Sequence, residues 1–485
     1  MASSRSNRIG GLAVLALLAA GLLAPAGAAG STRAPAPRPL YFGFADSLFA
    51  SGDDGVREHW VERAVSSGAS IVRINVRWRD VAPKDRPAGF SPSDPGSPGY
   101  EWKRVDAAVR TAAGHGLRVL LTVASAPRWA EGPERAPSAR PGTWKPRPAA
   151  FGRFARALAR RYGGAFPDPL RPGRALPRVR FFEAWNEPNL DYFLSPQWGG
   201  NRQWVGPGIY RNLLNSFYAG VKSAQPAATV IGGSMAPYGD PPGGERTPPV
   251  VFLRRLLCLK GGRLRRLPCP RPARFDALSD HPISPVKPPW VPADNPLDAS
   301  SADLGRLTRV LRRAERARTV LPRGRKGLWV TEFWLDTDPP DPDATPPYKQ
   351  ARWYEQDLYQ FWRAGAEAAI EFQLVDAGTD QNGGYHYTLQ SGVFFADGRP
   401  KPSRTAVRFP FVSHRSGPAR VLAWGIAPRP GLVRVQARRG GRWRTLASVR
   451  ARGLGRPFTL TLPLRGHALL RARLGRESSL TWRLR

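Results

Sequence analysis

Apolar and polar positions follow two rhythms along this chain, and the two take turns. Short apolar runs, LYFGFAD, SIVRINVRW and LRVLLTVASAP, have the length of buried strands. Each is followed by a stretch with apolar residues three and four apart: GVREHWVERAVSSG, YEWKRVDAAVRTAAGHG and AAFGRFARALARRYG. The order then repeats. RVRFFEAWNEPN precedes GIYRNLLNSFYAGVKSAQP, TVIGGSMAP precedes PVVFLRRLLCL, and FDALSDHPI precedes ADLGRLTRVLRRAERAR. GLWVTEFWLD precedes YKQARWYEQDLYQFWRAGA, and AAIEFQLVDAG makes an eighth strand. Near-continuous apolar strands alternating with amphipathic helices predict an α/β chain, a (β/α)8 TIM barrel over residues 40–410.

The rhythm changes near Ser413. ARVLAWGIAP, LVRVQAR, WRTLASVR, FTLTLPL, HALLRARL and SLTWRLR are β-like runs separated by Gly, Pro and Arg turns. They predict a small all-β, sandwich-like domain over 411–485, with an apolar face that packs on the barrel and buttresses it. At the other end, Arg5 and Arg8 precede LAVLALLAAGLLA and the small residues of PAGAAG. That is the pattern of a secretory signal peptide over 1–28, cleaved near Ala28, with a Pro/Ala-rich linker over 29–39. The apolar run is too short to span a bilayer and no later segment is longer, so an exported protein without a transmembrane segment is expected.

Composition refines this picture in two places. The only cysteines, Cys258 and Cys269, flank LKGGRLRRLP and are expected to close a disulfide in an oxidising compartment. They offer too few ligands for zinc, and no metal site is expected. The formal net charge of +37 comes from arginines spread over the whole chain, without a nucleic-acid reading motif or a basic stripe interleaved with stacking aromatics. Nucleic acid is therefore not an expected partner. The segment 411–485 is the exception in density: it holds 17 arginines against the single acid Glu477, which would favour anionic cell-surface polymers in a salt-dependent way.

Barrel enzymes carry their chemistry at the C-terminal ends of the strands. Glu187 ends the fourth run and Glu332 the seventh, 145 residues later, as three strand–helix units with sizeable loops require. Two carboxylates entering one pocket from different strands suit hydrolysis of a glycosidic bond, one protonating the leaving oxygen and the other attacking the sugar carbon. Glu183, four residues before Glu187 and deeper on the same strand face, reads as a buried structural carboxylate. Neither metal nor organic cofactor is required, because the two acids supply both proton and nucleophile.

EAWNEPNL, together with VTEFW, resembles the motifs of the clan A glycoside hydrolases, above all families 39 and 5. The resemblance covers about residues 40–410. It implies a retaining enzyme acting on a β-type glycosidic bond of an oligo- or polysaccharide, with Glu187 as acid/base, Glu332 as nucleophile and Asn186 donating to the sugar 2-hydroxyl. It also matches Arg73 to a strand-two arginine that keeps the nucleophile ionised, His281 to a strand-six histidine at the sugar site, and Trp129 to a stacking tryptophan after strand three. Trp185 and Trp334 border the two acids and are candidates for the sugar surface. Asp46, Trp78 and Tyr385 are pocket candidates by strand-end position alone. Two departures stand out: Ile283 occupies the place of a tyrosine that bonds the nucleophile, and strand eight lacks its tryptophan, with Gln373 nearby. They leave open a second reading, a weak or degenerate barrel that binds glycans or anionic envelope polymers.

Overall fold

The computed structural model describes residues 38–284, 287–378 and 389–485. Its central feature is a closed barrel of β1 Tyr41–Ala45, β2 Ile71–Arg77, β3 Arg118–Ala124, β4 Phe181–Ala184, β5 Thr229–Met235, β6 Ala277–Asp280, β7 Gly327–Phe333 and β8 Ala366–Phe372. Every neighbouring pair is parallel, and the sheet closes where β1 pairs with both β2 and β8. Around it lie α1 Asp54–Ser66, α2 Lys103–Gly114, α3 Pro148–Arg161, α4 Gly206–Ala224, α5 Pro249–Leu256, α6 Leu304–Ala317 and α7 Pro347–Ala364. This is the TIM barrel that the eightfold alternation predicts.

Local chemistry sets the helix ends. The Asp53 side chain accepts from the Val56 amide at 2.9 Å and starts α1, while α3, α4 and α7 have proline in their first turn, where no amide partner is missed. Alternate strand residues divide between two cores. Ile71, Leu120, Ile231, Ala277, Trp329, Ala368 and Ile370 fill the barrel interior, and the residues between them meet the helices. Gly43 is required on β1, because a Cβ there would lie 1.7 Å from the Ile71 carbonyl oxygen.

After α8 Pro402–Arg408 the chain is antiparallel: β9 Phe411–Gly417, β10 Arg420–Gly425, β11 Pro430–Arg439, β12 Arg442–Arg452, β13 Phe458–Pro463, β14 Ala468–Leu474, β15 Glu477–Ser478 and β16 Trp482–Leu484. One sheet is β9-β10-β13, and the other runs β12-β11-β14-β15 with β16 beside β14. The period-two pattern of β10 serves two cores at once. Val421 and Ala423 face the second sheet, whereas Leu422 and Trp424 face the barrel. Trp424 lies 5.4 Å from Tyr359 and 5.9 Å from Trp362 of α7, ring centroid to ring centroid. Cys258 and Cys269 form a disulfide, with Cα atoms 5.8 Å apart, around a two-residue β-pair. Among the described residues no helix is long and apolar enough to cross a membrane.

Candidate active site

Arg73 points into the barrel from β2 and is 1% exposed. Its guanidinium joins four strands. Nε donates to Thr122 Oγ1 at 2.9 Å and Glu183 Oε2 at 3.2 Å, Nη1 to Glu332 Oε2 at 2.8 Å, and Nη2 to Asn186 Oδ1 at 2.5 Å. Glu183 is fully buried and accepts three more bonds: Thr122 Oγ1 at 2.7 Å, Ser279 Oγ at 2.7 Å and Thr331 Oγ1 at 2.8 Å. A charge withdrawn from water persists only when paired and fully hydrogen-bonded, and this carboxylate meets that condition through β2, β3, β6 and β7. The result is a rigid polar floor directly beneath Glu332 and Asn186.

Regular strands would not deliver the two acids. On an ideal strand Asn186 and Glu187 face opposite sides, as do Thr331 and Glu332. At the end of β4 the alternation breaks: Trp185 (φ 74°) and Glu187 (φ 41°) have left-handed backbones, so Asn186 and Glu187 both reach the mouth. The Glu187 amide is caught by the carbonyl of Ser234, itself at φ 51°, at 2.9 Å. At Gly233 (φ 118°) a Cβ would come within 2.3 Å of the Ser279 carbonyl oxygen, so the irregular end of β5 needs glycine there. On β7 the register slips between Val330 and Phe333, letting Thr331 reach Glu183 while Glu332 reaches Arg73. Irregularities that re-aim a side chain are common beside active sites.

His281, fully buried just past β6, lies between the two carboxylates. Its Nδ1 is 3.0 Å from Glu187 Oε1 and 3.9 Å from Glu332 Oε2, and its Nε2 is 3.0 Å from Ser234 Oγ. Burial pushes its pKa down to about 4, so near neutrality the ring is uncharged and has a single N–H to share between Glu187 and Ser234. Burial also raises Glu187 from 4.5 to about 7, opposed by Arg73. Glu332 is raised by burial too, but the Arg73 guanidinium at bonding distance pulls it back. The two acids therefore differ in compensation: Glu332 has a guanidinium at bonding distance and Glu187 does not.

One oxygen of Glu187, one oxygen of Glu332 and one nitrogen of His281 lie within 4.8 Å of one another. Such a triplet has the spacing to bridge a cation, but Arg73 already occupies Glu332 Oε2 and supplies positive charge there. The arrangement favours proton transfer and nucleophilic attack over metal binding.

No family model matches the sequence, and none of the curated proteins does. Solved structures do match. The fold is shared with a family 39 glycoside hydrolase. That protein, from the gut symbiont Bacteroides cellulosilyticus WH2, superposes with a TM-score of 0.53 at 16% identity, covering 88% of this chain and 81% of its own. A glucosidase from Croceicoccus marinus (TM-score 0.49, 14% identity, 89% of this chain and 94% of that one) and a β-xylosidase from Caulobacter crescentus CB15 (0.48, 16%, 89% and 96%) are also similar. At such identities the likeness establishes the barrel, and the chemistry must be argued from the residues.

The tryptophans divide. Trp185 is fully buried, its ring 5.3 Å from Phe151 and its Nε1 donating to the Phe193 carbonyl at 2.9 Å, so it has no face to offer a sugar. The left-handed backbone at Trp185 itself turns the indole out of the barrel into the helix layer. Trp78 is likewise core, stacked on Phe154 at 5.5 Å. Trp129 is half-buried against Trp78, with its Nε1 bonded to the Pro83 carbonyl at 3.0 Å, and Trp334 is half-buried two residues past Glu332. Tyr385 lies outside the described residues. Asp46 accepts from the Leu48 and Leu374 amides and, with Asn75, Arg77 and Gln373, lines a cleft of about 890 Å³ over the ends of β1, β2 and β8. Neither Glu187 nor Glu332 is among the residues lining that cleft. Ile283 is buried and its carbonyl accepts from Tyr238 Oη at 3.1 Å. Sequence reading missed Thr122, Ser234, Ser279 and Thr331. The available signal was a hydroxyl residue inside an otherwise apolar strand run.

Proposed function

We propose that the protein is an exported, retaining glycoside hydrolase that cleaves a β-type bond in an oligo- or polysaccharide. The observation that carries this reading is the approach of one Glu187 oxygen and one Glu332 oxygen to within 4.8 Å, close enough for the shorter of the two carboxyl spacings that glycosidases use. Retaining enzymes hold their carboxyls about 5 to 5.5 Å apart, whereas inverting enzymes leave about 6.5 to 9.5 Å for a water. In the first step Glu332, oriented by Arg73, attacks the anomeric carbon, and Glu187 gives its proton to the leaving oxygen. In the second step Glu187, now ionised, takes a proton from the water that releases the sugar. Its raised pKa suits both duties near neutral pH. Asn186, fixed by Arg73, is oriented to donate from its amide nitrogen to the sugar 2-hydroxyl. Export is supported by the signal-like pattern of residues 1–28.

The test is hydrolysis of an aryl glycoside panel, with proton NMR of the first-formed sugar. Retention of anomeric configuration is expected. Glu332→Ala should block glycosyl-enzyme formation, and Glu187→Ala should slow poor leaving groups far more than activated ones. An inverted first product sinks the assignment of roles.

A specific observation also favours an anionic partner. On the outer face of the second C-terminal sheet, exposed Arg434 pairs directly with exposed Arg473, and neither has an ion pair among the described residues. Like charges directly opposite on a sheet repel, and a polyanion laid across them relieves the repulsion.

A further inference from the structure

The loops after β3 and β4 enclose a second groove, of about 660 Å³, that the chemistry above does not use. One wall is built by the loop carrying Trp144 and Lys145 and the other by the loop carrying Pro196 and Trp198, floored by Val205, Ile209 and Asn212 at the start of α4. The volume falls within the ~300–1,000 Å³ of ordinary ligand sites. Among the described residues, Lys145 is the one charged residue lining it.

Its two indoles are held at their edges. Trp144 Nε1 donates to the Pro133 carbonyl at 2.8 Å and Trp198 Nε1 to the Gly244 carbonyl at 2.6 Å, so neither ring needs a ligand to satisfy its N–H. Trp204, which does not line the groove, packs on Trp198 with ring centroids 3.5 Å apart, so one face of that indole is taken by protein while Trp198 also lines the cavity. Rigid, half-buried aromatic faces suit a flat apolar surface. A pyranose with equatorial hydroxyls presents one, its axial C–H groups; the Lys145 ammonium lies over one face of the Trp144 ring, 4.5 Å from its centroid, so a sugar would stack on the other face, and exposed Asn212 can meet the hydroxyls around its edge.

The groove is tied to the acid. Ser195 and Thr143 bond through their backbones at 2.9 Å, and the Lys145 amide donates to the Ser195 carbonyl at 2.8 Å, which zips the walls together. Gln197, beside Trp198, donates from Nε2 to the carbonyl of Pro188, the residue after Glu187, at 2.9 Å. A general acid stands on the leaving-group side of the bond it cleaves, so glycan continuing past Glu187 runs toward the β3 and β4 loops.

We propose that this groove is a glycan-binding surface, in which Trp144 and Trp198 stack on pyranose rings of the leaving-group half of a β-linked chain. The identity of the ligand rests on the glycosidase reading. The full chain with Glu187→Gln and Glu332→Gln, which blocks turnover, should be run in native gels cast with xylan, mixed-linkage β-glucan or glucomannan. At least one polysaccharide should retard it. Trp144→Ala and Trp198→Ala, and Asn212→Trp, which fills the groove with both indoles intact, should each weaken retardation at least tenfold, with circular dichroism and Tm showing them folded. Absence of retardation in all three gels, or equal retardation of all variants, overturns the proposal. So does a dimer that Asn212→Trp dissociates, since a second copy would then be the occupant. Indole-dependent retardation in a protein whose unmutated form hydrolyses no aryl glycoside would uphold the surface and refute the hydrolase.

Discussion

Replacing Glu187 with glutamine should make the protein more stable above neutral pH. Burial raises the Glu187 pKa from 4.5 to about 7, so the folded state holds a proton that the unfolded chain gives up. Between those values the native state binds more protons than the unfolded one, and stability falls as pH rises. A difference of about 2.5 pKa units at 1.36 kcal/mol each amounts to about 3 kcal/mol by pH 8. Glutamine keeps the shape and carries no charge, so it removes this cost. Glu355 and Asp357, raised by burial to about 8 with no contribution from Glu187, tilt both curves alike and cancel in the difference, whereas Glu332 and Asp280, which the Glu187 charge pushes up, are relieved in the variant and add to the gap in the same direction. Urea unfolding of wild type and Glu187→Gln at several pH values from 4.5 to 8.5 measures it. The two should be nearly equal near pH 4.5 and the variant about 3 kcal/mol more stable at pH 8. A gap independent of pH, or a variant less stable at pH 8, would refute the assignment of Glu187 as a desolvated, poorly compensated acid.

Glu183→Ala leaves Arg73 and three hydroxyls without their common acceptor and should cost about 3 to 5 kcal/mol in chemical denaturation; a loss under about 1 kcal/mol would mean that the polar floor is dispensable. Trp424→Ala removes the indole that joins the C-terminal sheet to α7 and should cost about 3 to 5 kcal/mol, read by the same method. Charge reversal at both Arg434 and Arg473 should lower the salt concentration at which the protein elutes from heparin; elution at an unchanged salt concentration would locate the anionic contact elsewhere. With Glu187 needed protonated, kcat/KM for glycosides with poor leaving groups should fall as pH rises through about 7, and a profile flat from pH 6 to 9 would argue against it as the acid.

The repeating alternation of strand and helix determined the barrel, because near-continuous apolar strands followed by amphipathic helices have few other ways to bury both faces. It also delivered Glu187, Glu332 and Arg73 as strand-end or inward polar residues, and those three do converge. Tertiary structure decided which neighbours face the pocket. Period two would have put Trp185 inside the barrel, yet a left-handed turn, supported by Ser234 on the next strand, sends it to the helix layer and brings Asn186 and Glu187 inward together. The role of Glu183 was legible only as burial. Its partners Arg73 and Thr331 lie 110 and 148 residues away in sequence, and only barrel closure brings them together. The groove of Trp144 and Trp198 is of the same kind, made when two loops from different strands bond to each other. A sequence pattern specifies the face of a regular element. Where bulges and loop pairing break that regularity, the aim of each side chain depends on neighbours that the pattern does not contain.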